Sequence, residues 1–558
     1  MSIRPVDDLC DAFVADYAGL DPVAATMMGI GGHEHELPDL TPDGYAGREQ
    51  VIRRAHDAVT AATPADEREQ AAKEAFLERT TLYLEQYEAH EPQAQLSVIA
   101  SSLHELREAF DLMETGSEQG WAAIDSRLAA LPATLAGYRR TLQTEAERGN
   151  ISPSRQIHEV AKQIRGWTGE TGTNPSLFTM LVEPAPDGTL RQQLSEHAAA
   201  ATQALGELGR WFDTELAPRG RPKEPVGREH YARASRYFLG ATVDLDETYA
   251  WGWHELARIE SNMTQVANQI VSGGSVDDAV HALDADPARN LPSKEAFRDW
   301  MQQLADSTIA ELADTHFDIP EPVRRIEAMI APTTDGGAYY TGPSEDFTRP
   351  GRMWWSVPES VTTFSTWRET SIVYHEGVPG HHLQFGQAVA SKDLLNRFLR
   401  TMCWVSGSGE GWALYAERLM DDLGYLEDPG DKLGMLDSQG FRAARVIVDI
   451  GVHLELEIPR DNPFGFHPGE TWTPELVWEF MRGHSRMNDA ELRFEVDRYL
   501  GWPGQAPSYK VGERLWLEAR DEAKRRKGAA FDLKQFHTDA LNLGSIGLDP
   551  LTKALARL

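Results

Sequence analysis

The sequence predicts a mainly α-helical protein, and three observations lead to this fold class. Long segments rich in the helix formers Ala, Leu, Glu, Gln and Arg occupy much of the leading 330 residues. Apolar residues recur in them at helical spacing, as in Phe76, Tyr83 and Tyr87. Short β-type segments stand out only near residues 323–357. We therefore expect a large helical protein that carries one small β-sheet.

Residues 1–325 are predicted to form an N-terminal helical lobe, and residues 326–558 a second, catalytic lobe. Turn-forming Pro and Gly residues separate the long helices of the first lobe. Those helices are expected at residues 65–88, 96–112, 121–148, 191–216 and 245–271. Pro132 is expected to kink or split the third helix, because proline removes a backbone hydrogen bond.

A change of pattern near residue 325 predicts the small β-sheet. The segments Val323–Pro332, Ala338–Thr341 and Met353–Val357 are short, and Gly and Pro separate them. They precede the stretch that is most informative about function. Residues 374–384 of that stretch read Tyr-His-Glu-Gly-Val-Pro-Gly-His-His-Leu-Gln.

This stretch carries residue types that bind zinc. Imidazoles are the commonest zinc ligands, and Glu376 beside His375 can take a proton from a water that the metal polarises. The standard spacing H-E-x-x-H is absent, because Pro379 stands four positions after His375. The next histidines are His381 and His382.

An unbroken helix could not bring these histidines to one zinc ion. Six positions along a helix correspond to about 9 Å of rise, and seven positions to about 10.5 Å. Zn–N distances are only about 2.0–2.1 Å. Pro379 and the glycines around it provide the break that the site requires. The alternative interpretation is a Pro-Gly turn that ends one helix and is followed by surface histidines.

A third ligand is predicted in residues 406–417, which read Ser-Gly-Ser-Gly-Glu-Gly-Trp-Ala-Leu-Tyr-Ala-Glu. Glu410 lies at or near the first turn of a predicted helix, and Glu417 lies two turns on along the same face. The glycines beside Glu410 would let the backbone approach the metal closely. Alternatively, Glu410 is an acid favoured by the helix dipole, and Glu417 either supports a ligand or is an ordinary acid.

Taken together, the motifs resemble the domain-of-unknown-function 885 family (DUF885), and the resemblance covers most of the chain. The motifs that carry it are His375-Glu-x-x-Pro-Gly-His381-His-x-Gln, Glu410-Gly-Trp-Ala-x-Tyr-x-Glu417, Arg445-x3-Asp449-x3-His453 and Arg498-Tyr499-x2-Trp-Pro503-Gly-Gln505-Ala-x-Ser-Tyr509-Lys510-x-Gly512. The family resembles gluzincin-type zinc metallopeptidases. The resemblance implies a two-lobed helical fold, with a small β-sheet next to the metal helix and a deep central cleft.

The resemblance also implies roles for single residues. By position, His375, His381 and Glu410 would be the ligands of one zinc ion, and Glu376 would be the general base. The family pattern favours His381 over His382. The edge strand of the small sheet would bind an extended peptide by strand addition. Its aromatic residues either shape side-chain pockets or form the core of the sheet: Tyr339, Tyr340, Trp354 and Trp355.

Two later segments are predicted to complete the chemistry. Residues 439–457 form a predicted helix on which Arg445, Asp449 and His453 share one face. His453 is a candidate donor to the oxyanion, and Arg445 is a candidate to hold a substrate carboxylate or Asp449. By the gluzincin resemblance, Tyr509 is the candidate tyrosine that stabilises the tetrahedral intermediate. Its alternative is a tyrosine packed at the start of a helix.

Charge and composition bear on the partners. The formal charge of −33 argues against nucleic acid or an anionic membrane as a partner. The sequence shows neither an apolar stretch near 18 residues nor a basic and apolar secretion signal at its start. We therefore expect a cytoplasmic location. Because the sequence has only two cysteines, we expect neither a disulfide framework nor a cysteine-based zinc site.

The predicted function is zinc-dependent hydrolysis of a short peptide or a small amide. Three alternatives stay open at this point. The first is a metal-dependent hydrolase of a non-peptide amide or ester. The second is a non-catalytic protein that retains the fold. The third is a closed structural metal site with His382 as a fourth ligand. The sequence does not indicate cleavage specificity or oligomeric state.

Overall fold

The computed structural model describes residues 4–172, 174–331, 337–358 and 361–558. The chain is 67% helix and 4% strand, which confirms the mainly α prediction. In the described residues, no helix combines the length and apolar character needed to cross a membrane. The α-helices are α1 (Pro5–Leu20), α2 (Pro22–Met27), α3 (Pro42–Ala61), α4 (Glu67–Glu88), α5 (Glu91–Ala94), α6 (Ser102–Asp111), α7 (Glu118–Glu147), α8 (Ser154–Trp167), α9 (Leu177–Val182), α10 (Thr189–Trp211), α11 (Gly227–Leu239), α12 (Leu245–Ile270), α13 (Val276–Ala285), α14 (Lys294–Leu312), α15 (Thr366–Glu376), α16 (His381–Ala390), α17 (Ser406–Asp422), α18 (Pro429–His453), α19 (Pro474–Gly483), α20 (Asp489–Gly501), α21 (Ser508–Lys527), α22 (Leu533–Leu541) and α23 (Leu548–Arg557).

Within the described residues, the strands form two small sheets. They are β1 (Asn290–Leu291), β2 (Ile326–Ile330), β3 (Ala338–Thr341), β4 (Gly351–Trp355) and β5 (Phe364–Ser365). Strands β1 and β5 pair antiparallel. The other sheet has the order β2-β4-β3, parallel between β2 and β4 and antiparallel between β3 and β4. The predicted small sheet ahead of the metal motif is therefore present. Pro332, the last residue of the first predicted segment, lies outside the described residues.

Residue contacts divide the chain into two compact units. The first comprises Met1–Thr63, Thr80–Val226 and Arg493–Trp502, and the second comprises Pro64–Arg79, Gly227–Leu492 and Pro503–Leu558. The predicted boundary after residue 325 does not coincide with a limit of either unit. Within the second unit α12 packs closely on α18, and a Cβ added at Gly252 would lie 3.1–3.2 Å from the side chains of Ile447 and Val446.

Helix limits differ from the predicted ones where a local cap decides them. The helix expected from residue 96 begins at Ser102, because the Ser101 side chain accepts a hydrogen bond from the His104 amide. The helix α7 continues through Pro132. The helix expected at 439–457 begins ten residues earlier, at Pro429, and ends at His453.

Glycines set how closely α17 and α21 pack. A Cβ added at Gly411 would lie 2.6 Å from the Cα of Gly512, a distance that real Cβ atoms do not adopt. A Cβ added at Gly407 would lie 2.9 Å from the Cα of Leu239 on α11. The backbone of α17 is therefore in close contact with two neighbouring helices, and this contact determines where α17 places its side chains.

The pH dependence of stability is expected to depend in part on His537, a buried residue of α22. Burial, reinforced by the charges of Arg520 and His316, lowers the pKa of His537 to about 3. An unfolded histidine has a pKa near 6.5, so between about pH 6.5 and pH 3 the unfolded chain binds a proton that the folded chain does not. We expect this residue to cost about 1.4 kcal/mol of stability per pH unit as the pH falls through that range.

Urea unfolding at pH 7 and pH 5 measures this contribution. The variant His537→Gln is expected to lose about 2 kcal/mol less than the wild type between these pH values. The same substitution at the exposed His254 is the control and should leave the pH dependence unchanged. Equal pH dependence in all three proteins would contradict a neutral, buried His537.

Candidate metal centre

The break between α15 and α16 brings the two ends of the histidine motif together. Helix α15 ends at Glu376 and α16 begins at His381. The amide of Gly380 donates to Tyr374 O at 3.0 Å, and the peptide bond before Pro379 is cis. A Cβ added at Gly380 would lie 2.0 Å from His375 O, so the turn folds back tightly onto the end of α15. Only glycine fits this position.

A tryptophan from α17 holds the turn in place. The Trp412 indole N–H donates to Pro379 O at 2.9 Å and lies 3.3 Å from Gly380 O. Trp412 is fully buried, and it comes two residues after Glu410 on the same helix. The helix that supplies the predicted carboxylate ligand therefore also binds the turn that separates the two predicted histidine ligands.

The structure brings His375, His381 and Glu410 together. Their candidate ligand atoms all lie within 4.8 Å of one another. The Nε2 atoms of His375 and His381 each lie 3.4 Å from Glu410 Oε2. Among the described residues these three are the cluster that could hold a metal ion. Both histidines are buried, while the Glu410 side chain is 16% exposed, so solvent reaches the cluster on the side of the carboxylate.

Glu417 and Arg442 lie behind His375. The Nδ1–H of His375 donates to Glu417 Oε1 at 2.7 Å, which leaves Nε2 facing Glu410. Glu417 is fully buried, and Arg442 Nη2 lies 3.9 Å from its Oε1. Burial lowers the pKa of His375, but Glu410, Glu417 and Glu376 outweigh that effect and raise it to about 9 in the metal-free protein. Burial raises the pKa of Glu410, but the imidazoles of His381 and His375 outweigh this effect and hold that pKa well below its usual range.

Glu376 lies at the end of α15 beside the first ligand. It is buried, and its Oε2 has no hydrogen-bond partner within the described residues. Burial raises the pKa of Glu376, although the nearby His375 and His381 partly oppose this effect. A buried carboxylate with an uncommitted oxygen is suited to exchange a proton with a molecule that binds beside it.

His382 points away from the cluster. Its Nε2–H donates to Val323 O at 2.8 Å, and the Tyr340 hydroxyl donates to its Nδ1 at 2.9 Å. Burial lowers the pKa of His382 to about 4, so the ring is neutral. Since both ring nitrogens are engaged elsewhere, the closed site with His382 as a fourth ligand does not form in this structure.

The residues on the polar face of α18 have two different sets of neighbours. Asp449 is fully buried, and its Oδ2 accepts hydrogen bonds from the Tyr231 hydroxyl (2.6 Å) and the Gly504 amide (2.8 Å). The fully buried His453 packs beside the Tyr231 ring, with centroids 5.8 Å apart. It lies eleven residues beyond Arg442, or about 16 Å along the helix axis. The structure therefore places His453 in a contact between α18 and α11, and its role as a donor to the oxyanion stays a prediction.

Tyr509 and Arg445 lie together, close to Arg442. The guanidinium carbons of Arg445 and Arg442 lie 5.0 and 5.9 Å from the centre of the Tyr509 ring. Arg442 Nη2 lies 3.9 Å from Glu417 Oε1, so this group lies near the carboxylate that accepts from His375. Tyr509 is half-buried in the first turn of α21.

Some contacts at the site were not foreseen from the sequence. The glycines beside Glu410 do not face a metal: Gly409 makes room for the Trp404 ring, and Gly411 makes room for α21. The position of Arg442 beside Glu417 has no local signal in the sequence. Trp404 and Phe385 lie between the recognised motifs, and no pattern singles them out.

A comparison with protein families shows which family this chain belongs to. The model of the family described as "Bacterial protein of unknown function (DUF885)" matches residues 22–555. The chain belongs to the DUF885 family. No curated protein matches this DUF885 protein.

Two solved structures share the fold of this DUF885 protein. One is a "putative lipoprotein" from Colwellia psychrerythraea, with a TM-score of 0.84 and 21% identity over 99% of this chain and 98% of that chain. The other, from Shewanella oneidensis, is described in the same words with the addition "of unknown function". It has a TM-score of 0.73 and 16% identity over 99% of both chains. At these identities the likeness shows a common fold and nothing about activity.

Proposed function

We propose that this DUF885 protein is a zinc-dependent hydrolase that cleaves short peptides. The observation that carries the proposal is the distance of 3.4 Å from Glu410 Oε2 to Nε2 of both His375 and His381. Ligand atoms about 2.0–2.1 Å from one tetrahedral zinc are about 3.3–3.4 Å apart. Glu410 is therefore spaced from each imidazole as two ligands of a single ion are, and all three ligand atoms lie within 4.8 Å of one another.

The donor set also fits zinc. Two imidazoles and one carboxylate are the protein ligands of many catalytic zinc sites, which leave a further position to water or substrate. The carboxylate of Glu417 supports His375 as carboxylates support zinc-bound histidines elsewhere. The exposed edge of Glu410 keeps the cluster accessible, which favours a catalytic site over a closed structural one.

The proposed chemistry assigns one role to each residue. When bound, zinc would supply Lewis-acid activation of the carbonyl and of water. Glu376 accepts a proton from the attacking water and passes it to the leaving amine. Tyr509 is proposed to stabilise the oxyanion. Arg445 and Arg442 hold the Tyr509 ring in place by cation–π contacts.

The gluzincin resemblance, with its two-lobed form and deep central cleft, is part of this proposal. So is strand addition of a peptide at β3, which is an edge strand of the three-stranded sheet. Trp355 is buried in that sheet, whereas Tyr339 is exposed. The cytoplasmic location stays a prediction, and the description of the two similar structures as lipoproteins suggests an attached or extracellular location instead.

Elemental analysis and a peptide panel test the proposal. Purified full-length protein is expected to bind one zinc per chain and, when loaded, to hydrolyse at least one short peptide. Removing zinc with a chelator should abolish hydrolysis, and adding zinc back should restore it. Hydrolysis of acyl-amides or esters alone would favour the non-peptide alternative. Stoichiometric zinc with no hydrolysis of either class would favour a non-catalytic metal-binding protein.

Replacing Glu417 by Gln tests the support of His375. The amide keeps the shape of the side chain but loses the charge that accepts from the His375 Nδ1–H. We expect zinc affinity to fall about 10–100-fold, as it does when such supporting groups are lost elsewhere. Competition with a zinc chelator measures the affinity. An unchanged affinity would contradict the role given to Glu417.

A further inference from the structure

Three aromatic side chains lie beside His381. We define the aromatic shelf as Tyr340, Phe385 and Trp404. Their ring centroids lie 6.4, 6.0 and 6.2 Å from the His381 ring. Phe385 contacts both other members, with centroid distances of 5.6 Å to Tyr340 and 4.8 Å to Trp404. The shelf is therefore a continuous apolar surface that begins at a proposed metal ligand.

Trp404 is the open part of the shelf. It is 41% exposed, whereas tryptophan is normally buried over most of its surface. One face of its indole stacks on Phe385, at an interplanar angle of 22°. The remaining apolar surface faces solvent beside His381. An exposed tryptophan next to a reactive cluster is available to bind an apolar group.

The backbone of α17 holds Trp404 in this place. A Cβ added at Gly409 would lie only 1.9 Å from the edge of the indole ring, so the ring rests directly on the backbone of α17. Gly409 immediately precedes Glu410. The indole is therefore positioned against the residue before one proposed ligand and against the ring of another.

We propose that the aromatic shelf binds a large apolar or aromatic side chain next to the bond that is cleaved. The inference rests on the proposed zinc site and adds the substrate class: short peptides with an aromatic or bulky apolar residue beside the scissile amide. A flat substrate ring would stack on Trp404 in the way that Phe385 already does. A small or charged residue at that position would leave the exposed indole face in water.

Binding of two hydroxamic acids to zinc-loaded, full-length protein tests the inference without requiring turnover. Acetohydroxamate carries a methyl group and phenylacetohydroxamate carries a benzyl group, while both present the same metal-binding head. We expect the benzyl compound to bind at least about 10-fold more tightly in calorimetry. In Trp404→Ala the two affinities should become nearly equal, and Trp404→Phe should retain part of the preference.

The control variant is Leu394→Ala, which removes an equally exposed apolar side chain (41%) outside the shelf and should keep the wild-type preference. Zinc affinity should be unchanged in all three variants. A benzyl preference that persists in Trp404→Ala, or is absent from the wild type, would overturn the inference.

A peptide series separates this inference from the proposed peptidase activity. The peptides differ only in having Phe, Ala or Asp beside the scissile bond, and we expect the order Phe, Ala, Asp in kcat/KM. If the preference for the benzyl compound depends on Trp404 but no peptide is cleaved, the aromatic shelf is supported as a binding site and the proposed peptidase activity is contradicted. A protein that binds no zinc would overturn both.

Discussion

Replacing Glu376 by Gln is expected to abolish most hydrolysis while zinc stays bound. A general base typically contributes about 10²–10⁴-fold to the rate, so we expect kcat to fall within that range. The amide matches the size of the carboxyl group and cannot accept a proton from water. The zinc ligands are other residues, so the metal content should remain at one ion per chain. Single-turnover kinetics with elemental analysis of the same sample measures both quantities.

The matched control is Glu369→Gln on the same helix. Glu369 lies seven residues, or two helical turns, before Glu376, and burial raises its pKa too. Its Oε2 accepts a hydrogen bond from the Trp355 indole at 2.8 Å. This variant should retain nearly full activity. Full activity in Glu376→Gln would exclude the proposed base, and loss of zinc in that variant would make Glu376 part of the metal site instead.

Replacing His381 and His382 one at a time, each by Gln, should give opposite results. His381→Gln removes a proposed ligand, so zinc affinity should fall by more than the about 10–100-fold that follows loss of a supporting group. His382→Gln should keep its zinc. It is expected to lose about 1–3 kcal/mol of stability, because Tyr340 and Val323 O would be left without their buried partner. Chelator competition and urea unfolding measure the two effects.

The two variants differ by one position in the chain, so each is the control of the other. If His382→Gln lost the metal and His381→Gln kept it, the ligand assignment would have to be exchanged. If both variants kept the metal, the cluster would not be a metal site, and the proposed hydrolase activity would also be contradicted.

Much of the site was predictable because its signals are local. The pairing of His375 with Glu376, and the break provided by Pro379 and Gly380, lie within a few residues of one another. Proline and glycine both disfavour an unbroken helix, so a break between the two histidines could be predicted from these residues. The helical periodicity of the long segments likewise predicted the mainly α fold, and the short β-type segments predicted the small sheet.

The choice between neighbouring residues was not local. His381 and His382 are adjacent and chemically identical, and they separate only because Val323 and Tyr340, 59 and 42 positions earlier in the chain, engage the second ring. In the same way, the face shared by Arg445, Asp449 and His453 was foreseen from helical spacing. Tertiary packing then gave its members different neighbours, with Tyr231 beside Asp449 and His453.

The sequence by itself determined which side chains are available to the candidate site, namely two imidazoles and two carboxylates. It also determined that the helix is interrupted between the two imidazoles and that the chain is mainly helical. Only the tertiary structure decided which imidazole meets Glu410, that Glu417 holds His375, and that an exposed Trp404 lies beside the cluster. The physical reason is the distance along the chain over which each interaction acts. Helical periodicity and turn chemistry act over a few residues, whereas these contacts join segments that are tens of residues apart and meet only when the core packs.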